Sequence, residues 1–142
     1  MDTLKTSPFA TKDDKQVDIT IFKDVKLVCI YFSAHWCPPC RNFTPILAEV
    51  YNKINEKEKL IEIIFATRDK DLESYNEYRH TMPWVAIPFG HANIKTLATT
   101  CNITGIPTLV IMNQKGDVVC EDGYEDITSL KEKAFDKWFE KA

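Results

Sequence analysis

Apolar residues along the chain fall into short continuous blocks separated by amphipathic stretches. The blocks at 27–33 and 60–66 predict two buried strands, the first of them central and parallel to a neighbour, because it is apolar on both faces. Between the blocks, apolar side chains recur at helical spacing and predict a helix that Pro45 should kink. The apolar stripe of this helix contains Phe43, Ile46, Leu47, Val50, Tyr51 and Ile54.

Weaker patterns on either side predict further elements. Residues 9–11 and 16–19 flank the polar turn 12–15 and predict a short hairpin, with residues 1–8 as a flexible leader. A second hairpin is predicted from 107–113 to 118–121, across a turn in which Gly116 can take a positive φ. Helices are predicted at 71–81, 94–102 and 128–141, the last of them burying Leu130, Ala134, Phe135 and Trp138.

Strands that alternate with helices and end in a hairpin predict an α/β fold. We expect a central mixed sheet with helices on both faces and a short N-terminal hairpin. Residues 1–142 should form a single domain, since a chain of this length can bury a core unaided.

Composition narrows the function classes. The net charge is −3 with both signs interspersed, which argues against nucleic acid as a partner. The first residues lack the apolar core of a signal peptide, and no apolar run approaches membrane-spanning length, so we expect no membrane contact. Five cysteines, an odd count, suit a reducing compartment, the cytoplasm or the nucleus, and we expect a monomer.

The segment Trp36 to Cys40 carries the chemistry. Its two thiols, Cys37 and Cys40, are separated by two residues and lie after the strand 27–33, at the start of the following helix. A helix N-terminus stabilises a thiolate over a thiol, so Cys37 should be a nucleophile with a second thiol in reach. If Cys37 is the N-cap, Pro38 and Pro39 suit the first two helical positions and remove two donors, which predicts only moderate stabilisation.

A structural zinc site is the alternative interpretation of a Cys-x-x-Cys pair. Such a site needs two further ligands at close spacing, whereas the other cysteines and the histidines are scattered singly. We therefore expect no metal. The remaining thiols, Cys29, Cys101 and Cys120, are interpreted as small hydrophobic residues.

The chain resembles a known family at several places. The segments 33–41 and 105–108 are similar to the two landmarks of the thioredoxin superfamily. Together with Met82-Pro83-Trp84 and Pro88-Phe89, the segment 36–41 resembles its tryparedoxin and nucleoredoxin branch. The resemblance extends from about Phe9 to Val119 and implies a thioredoxin-like fold.

The resemblance implies a reaction and partners. Cys37 would attack a protein disulfide and Cys40 would resolve the mixed disulfide, with the Cys37–Cys40 disulfide serving in place of a cofactor. The partners implied are disulfide-containing proteins, a peroxiredoxin among the candidates, and an upstream low-molecular-weight thiol or reductase. The substrate-binding residues implied are Trp36, Pro38, Pro39, Arg41, Trp84, Ile106 and Pro107.

Some of these assignments stay open at the sequence level. Pro107 matches the cis-proline of the family, beside which Ile106 presents its backbone to substrate, although a proline can simply open a strand. Trp36 is expected at the rim of the site, whereas Trp84 fits either a loop near the site or a plug in the core. Arg41 could assist the thiolate or point to solvent.

Two departures from the family pattern limit the resemblance. Tyr31 stands where most thioredoxins keep a buried aspartate that helps deprotonate the resolving thiol, which leaves the proton-transfer group undetermined. Beyond Val119, where tryparedoxins tend to carry arginine, the chain has acidic residues instead: Glu121, Asp122, Glu125 and Asp126. They argue against trypanothione as the reductant. Two functions follow: a protein-disulfide reductase, or a redox-gated binding module with little turnover.

Overall fold

A computed structural model describes residues 2–142, without the side chain of Asp2. A seven-stranded mixed sheet runs through the molecule in the order β2-β1-β5-β4-β3-β6-β7. The strands are β1 (Phe9–Ala10), β2 (Gln16–Val17), β3 (Leu27–Ser33), β4 (Ile61–Thr67), β5 (Val85–Ala86), β6 (Thr108–Met112) and β7 (Val118–Cys120). The helices are α1 (Asp2–Lys5), α2 (Pro38–Ile54), α3 (Leu72–Arg79), α4 (Ala92–Thr100), α5 (Tyr124–Leu130) and α6 (Ala134–Lys141).

Strand β3, next to the middle strand β4, lies in the interior of the sheet. It pairs in parallel with β4, Leu27 opposite Ile61, and in antiparallel with β6, Tyr31 opposite Leu109. All seven residues of β3 and of β4 are buried, which confirms the prediction of two buried strands. Both predicted hairpins also form, and Gly116 takes a φ of 87° in the turn of the second.

Alternate residues of β3 pack into two separate hydrophobic layers, because successive side chains of a strand point to opposite faces of the sheet. Cys29 and Tyr31 pack with α2, α3, α5 and α6 on one face, while Ile30 and Phe32 pack with α1 and α4 on the other. The sheet is therefore covered by helices on both faces, and the predicted fold class is confirmed.

Two predicted segments differ in the structure. The predicted flexible leader 1–8 contains the helix α1. The apolar side chain of Leu4 on this helix is buried in the hydrophobic layer that α4 also covers, and this contact holds the segment in place. Met1 lies outside the described residues. The predicted helix 128–141 is divided: α5 and α6 are separated by a 3₁₀ turn, Lys131–Lys133, and Lys131 has a φ of 53°.

The kink predicted at Pro45 stays a prediction, although Pro45 does lie inside α2. No helix of the described chain is long and apolar enough to cross a bilayer.

Candidate active site

Cys37 stands at the junction of β3 and α2. It is the N-cap of α2, with extended backbone angles of φ −98° and ψ 109°, and Pro38 and Pro39 occupy the first helical positions in solvent. Its side chain accepts no capping hydrogen bond, while its carbonyl accepts one from the Arg41 N–H at 3.1 Å. The predicted placement of this thiol at a helix start is confirmed.

Cys40 lies one turn further into α2 and is more deeply placed. Cys37 is 6% exposed and Cys40 is fully buried. Both thiols pack with Ala34 and Ile106. Burial, followed by the neighbouring Cys37, raises the pKa of Cys40 to about 11, and the polar Ser33 hydroxyl and Ala34 backbone limit that rise. The two thiols therefore differ in access, and Cys40 needs help to ionise.

The loop before β6 forms the wall opposite the thiols. The Ile106–Pro107 bond is cis, as the resemblance implied, and the Ile106 side chain packs against the thiol pair. Both residues are half-buried. An extended peptide lying on this loop would meet Cys37 at the N-terminal end of α2.

Trp36 forms the rim of the site. The residue is 55% exposed, its Nε1–H donates to the Arg68 carbonyl at 3.1 Å, and Lys70 Nζ lies 5.9 Å from the ring centroid. A groove of about 440 Å³ lies between Trp36 and Ile106. A larger depression of about 850 Å³ adjoins it and shares the residues Arg68 and Asp69.

Trp84 is not a substrate contact. It is 3% exposed, and its ring packs edge-on against Tyr31 at 6.0 Å and Tyr51 at 5.4 Å. The segment that contains it leads into β5, which pairs with β4 and so places the indole beneath α2. The expectation that Trp84 binds substrate is wrong, and of the two alternatives the core plug is the correct one. Arg41, in contrast, lies in solvent.

Asp69, a residue that sequence reasoning missed, holds the loop that carries the thiols. This carboxylate, 8% exposed, accepts from the His35 N–H at 2.8 Å and from the Thr67 hydroxyl at 2.9 Å. One signal could have found it: a polar residue just after β4, since the carboxyl ends of parallel strands meet at one edge of the sheet.

Four buried hydroxyl groups, those of Tyr31, Ser33, Thr44 and Tyr78, form a hydroxyl cluster beneath Cys40. Thr44 Oγ1 lies 2.7 Å from Tyr31 Oη and 2.6 Å from Tyr78 Oη, and Ser33 Oγ lies 2.6 Å from Tyr78 Oη. Burial raises the pKa of both tyrosines, so all four groups are neutral at physiological pH. The sequence drew attention only to Tyr31.

The other thiols are poor nucleophiles. Burial, and then the nearby Glu62 carboxylate, raises the pKa of Cys29 far above its usual value. Burial also raises the pKa of Cys101 and of Cys120, both of them half-buried. Within residues 2–142, no group of three or more His, Cys, Asp or Glu side chains is placed to hold a metal ion.

The acidic residues after β7 are partly engaged in internal bonds. The Asp122 carboxylate accepts from the N–H groups of Leu109 and Tyr124, and Asp126 accepts from Lys137 and Trp138. Glu121 and Glu125 are exposed. Two of the four carboxylates thus serve the fold.

Comparisons with known proteins agree with this geometry. A family model described as thioredoxin-like matches residues 24–118. Probable nucleoredoxin 1 of Arabidopsis thaliana is 47% identical over 97 residues, which are 68% of this chain and 17% of that protein. Nucleoredoxin of Mus musculus is 43% identical over 101 residues, 70% of this chain and 23% of that protein. The chain spans less than a quarter of the length of these two relatives.

Solved structures give the same result over nearly the whole chain. Tryparedoxin I from Leishmania major superimposes with a TM-score of 0.83 at 34% identity, covering 91% of this chain and 89% of that one. Tryparedoxin II complexed with glutathionylspermidine superimposes with a TM-score of 0.82 at 29% identity, covering 90% and 89%. The chain therefore belongs to the thioredoxin superfamily, in the branch that contains the nucleoredoxins and tryparedoxins.

Proposed function

We propose that this chain is a thiol–disulfide oxidoreductase that reduces protein disulfides through Cys37 and Cys40. The observation that carries the proposal is the asymmetry of the two thiols. Cys37 begins a helix at the surface edge of the site, whereas Cys40 is fully buried behind it. That asymmetry suits an attacking thiol and a resolving thiol.

The first step joins the protein to its substrate. The Cys37 thiolate attacks one sulfur of a substrate disulfide, a new Cys37–substrate S–S bond forms, and the substrate S–S bond breaks. The departing substrate sulfur leaves as a thiolate and takes up a proton. Trp36, Pro38 and Pro39 border this position, and Ile106 and Pro107 offer an extended surface opposite Cys37.

The second step releases the product. The Cys40 thiolate attacks the Cys37 sulfur, which forms the Cys37–Cys40 disulfide and expels the second substrate thiolate. Two electrons have then passed to the substrate, and no further cofactor is needed. Because a Cys37 thiolate raises the pKa of Cys40, its conversion to a disulfide lowers that pKa when Cys40 must react.

A protein substrate suits the surroundings of the thiols. The groove beside Trp36 continues into the larger depression, and together they form a trough that runs from the end of β4 along α4 and could receive a loop of chain. A peroxiredoxin disulfide is one candidate of this class. We place the reaction in the cytoplasm or nucleus, where the protein acts as a monomer.

The oxidised pair must be reduced by an upstream thiol or a reductase. One neighbour, a tryparedoxin II, was solved with glutathionylspermidine, which makes a low-molecular-weight thiol a candidate here. The exposed Glu121 and Glu125 disfavour anionic thiols close to them. A neutral or cationic thiol therefore fits this chain better than an anionic one.

A redox-gated binding module is the second candidate function. The observation favouring it is that the chain matches only 17% and 23% of two nucleoredoxins, so the same fold occurs there within much longer proteins. In such a setting the state of Cys37 and Cys40 would control affinity for a partner.

Insulin reduction driven by dithiothreitol separates the two functions. The reductase should accelerate insulin precipitation many-fold, and Cys37→Ser should abolish the acceleration. Cys101→Ser is the matched control, because that half-buried thiol lies outside the pair and should leave the rate unchanged. No acceleration by the unaltered protein would favour the binding module.

A further inference from the structure

The exposed charges that line the trough beside the thiols are all positive. Lys70 lies in the groove next to Trp36, Lys95 lies in the larger depression on α4, and Arg68 lines both. All three basic residues are exposed. Within residues 2–142 none of them forms an ion pair, so their charges are available to a partner.

Asp69, the acidic residue that lines the described part of the trough, does not offset these charges. It is 8% exposed, and its carboxylate accepts from the His35 N–H and the Thr67 hydroxyl. The exposed carboxylate of Asp71 is not part of the lining and caps α3 by accepting from the Ser74 N–H at 2.8 Å. Three cations against one buried carboxylate leave the lining positive.

The floor of the trough is apolar. Ile94 is 8% exposed, and the other apolar side chains that line the trough beneath the basic residues are half-buried: Phe89, Ala98, Ile103 and Ile106. A polypeptide can place apolar side chains on such a floor while its carboxylates meet the basic residues along the edges, as at the apolar centre and polar rim of a protein interface.

The charge changes sign on the other side of the loop before β6. Ile103 and Thr104 line the trough on one side and a depression of about 230 Å³ on the other, which Glu121 and Asp122 also line. Glu121 is exposed. An anion is therefore disfavoured beside Glu121 and favoured in the trough, so a substrate with an acidic segment on one side of its disulfide should bind in one orientation.

We propose that the trough is the docking site for an acidic segment of the protein substrate that lies beside the disulfide to be reduced. This inference rests on the proposed reductase function and narrows its substrate class. The occupant is a polypeptide and not a nucleic acid, because it must present a disulfide sulfur to Cys37. Lys70 meets the carboxylates nearest the disulfide, and Lys95 meets those further along the segment, since it lines only the more distant depression.

Peptides of matched sequence test the inference. Each contains an intramolecular disulfide and a run of about six Glu, Gln or Lys residues before or after it, long enough to span about 20 Å. Reduction by the prereduced protein is measured by acid quenching and chromatography. Each rate is divided by that of the same peptide with dithiothreitol, because flanking charges alter the disulfide itself.

The expected result is a preference for one acidic peptide. One of the two Glu peptides should be reduced about five- to tenfold faster than the matching Gln peptide, and the Lys peptide of the same order should be slower. Salt at about 0.5 M should remove most of the difference, because exposed charges are screened.

Charge-removing variants locate the effect. Arg68→Gln and Lys95→Gln should each lower the ratio of the Glu rate to the Gln rate about twofold or more, and Arg68→Lys should restore it. With Glu only next to the disulfide, the ratio should respond to Lys70→Gln and not to Lys95→Gln. Lys115→Gln is the matched control, because it removes the same charge from the exposed turn between β6 and β7, at the opposite end of β3 from the thiols.

Equal ratios for both Glu peptides and the Gln peptides, or the same fall in Lys115→Gln as in Arg68→Gln, would overturn the inference. Failure to reduce even the Gln peptides would instead contradict the proposed function. Docking is then still measurable, because a Glu peptide with serine in place of its cysteines should shift the amide NMR signals of residues 67–70 and 92–98. The absence of those shifts would overturn the docking site.

Discussion

The carboxylate of Asp69 accepts a hydrogen bond from the backbone N–H of His35 at 2.8 Å, so the end of β4 holds the loop that carries Cys37. The second carboxylate oxygen is held by the Thr67 hydroxyl, and Thr67 Oγ1 also accepts from the Asp69 N–H at 2.8 Å. The carboxylate is therefore fixed by the last residue of β4, and the position of the Cys37 thiol depends on a residue 32 positions further along the chain.

We predict that Asp69→Ala lowers both stability and turnover. The change leaves the His35 N–H and the Thr67 hydroxyl without an acceptor, which should cost about 1–3 kcal/mol in the free energy of unfolding by urea. Insulin reduction should fall further than the loss of folded protein explains, because the thiol loop is released.

Asp18→Ala is the control for Asp69→Ala. Asp18 also accepts two hydrogen bonds, from the N–H and hydroxyl of Thr20, but it caps the 3₁₀ helix Ile19–Phe22 and not the thiol loop. Asp18→Ala should lower the free energy of unfolding and leave the rate of insulin reduction per folded molecule unchanged. Equal losses of rate in the two variants would show that Asp69 has no particular role at the site.

The elements that the sequence predicted correctly are those whose signal is local. Strand β3 is recognised because its residues form an almost continuous apolar run, and the Cys37 cap because two consecutive prolines suit the first turn of a helix. The break between α5 and α6 could not be predicted, since Lys131 carries no turn signature. It adopts φ 53° where the tertiary packing of Trp138 and Ala134 fixes both helices.

The supporting residues of the site were harder to predict than the thiols themselves. Cys37 and Cys40 are close in sequence, whereas Asp69 and Tyr78 reach the site from the loop after β4 and from α3. For Trp84, the two nearby prolines indicate a loop, which is compatible with contact to substrate. A loop can still run through the core, and Trp84 is buried there. Proximity of this kind is set by strand pairing, which a single sequence does not display.

Trp84 should affect stability and not substrate recognition. Trp84→Ala should cost about 3–5 kcal/mol, the range for deleting a large buried aromatic side chain. Trp84→Phe should cost far less, about 1 kcal/mol, because among the described residues Nε1 has no hydrogen-bond partner to lose.

Two measurements check the Trp84 prediction: urea unfolding, and the KM for insulin per folded molecule. Trp36→Phe is the contrasting variant, since the exposed Trp36 ring lies at the rim. It should raise KM with little change in stability. A raised KM in Trp84→Phe would restore the substrate role that the structure argues against.

The Asp126 carboxylate should stabilise the fold above about pH 4 and cease to do so in acid. Burial alone would raise the pKa of Asp126, but hydrogen bonds from Lys137 at 2.7 Å and Trp138 at 2.9 Å hold it below its usual value. Because the folded pKa is the lower one, the stabilisation is present above the unfolded pKa of about 3.9 and is lost as pH falls through the folded pKa.

Asp126→Asn should therefore lower the free energy of unfolding by about 1 kcal/mol at pH 7, and the difference should shrink below about pH 3. Urea unfolding at the two pH values measures it. Glu125→Gln makes the same charge change at the exposed neighbour and should have little effect. A difference that grows in acid would contradict the assigned direction of the pKa shift.

Alkylation should distinguish the two thiols of the pair. Cys40 has no exposure and its pKa is raised to about 11, so at neutral pH iodoacetamide should modify Cys37 well before Cys40. Peptide mass spectrometry over a time course measures each site separately, including Cys101 and Cys120. Equal rates at Cys37 and Cys40 would remove the basis for assigning attack to one and resolution to the other.

Replacing Cys40 by serine should trap substrates on Cys37. Cys40→Ser keeps the attacking thiol but removes the group that expels the product, so the first covalent complex persists for want of an internal attacker. In cell extract, this variant should accumulate disulfide-linked partners that disappear when reductant is added, and mass spectrometry of the released partners would identify the substrate class. Cys37→Ser is the matched control and should form no such adducts, because Cys40, the remaining thiol of the pair, is fully buried. The same adducts with both variants would reverse the assigned order of the thiols, and no adducts with either would favour the non-covalent binding module.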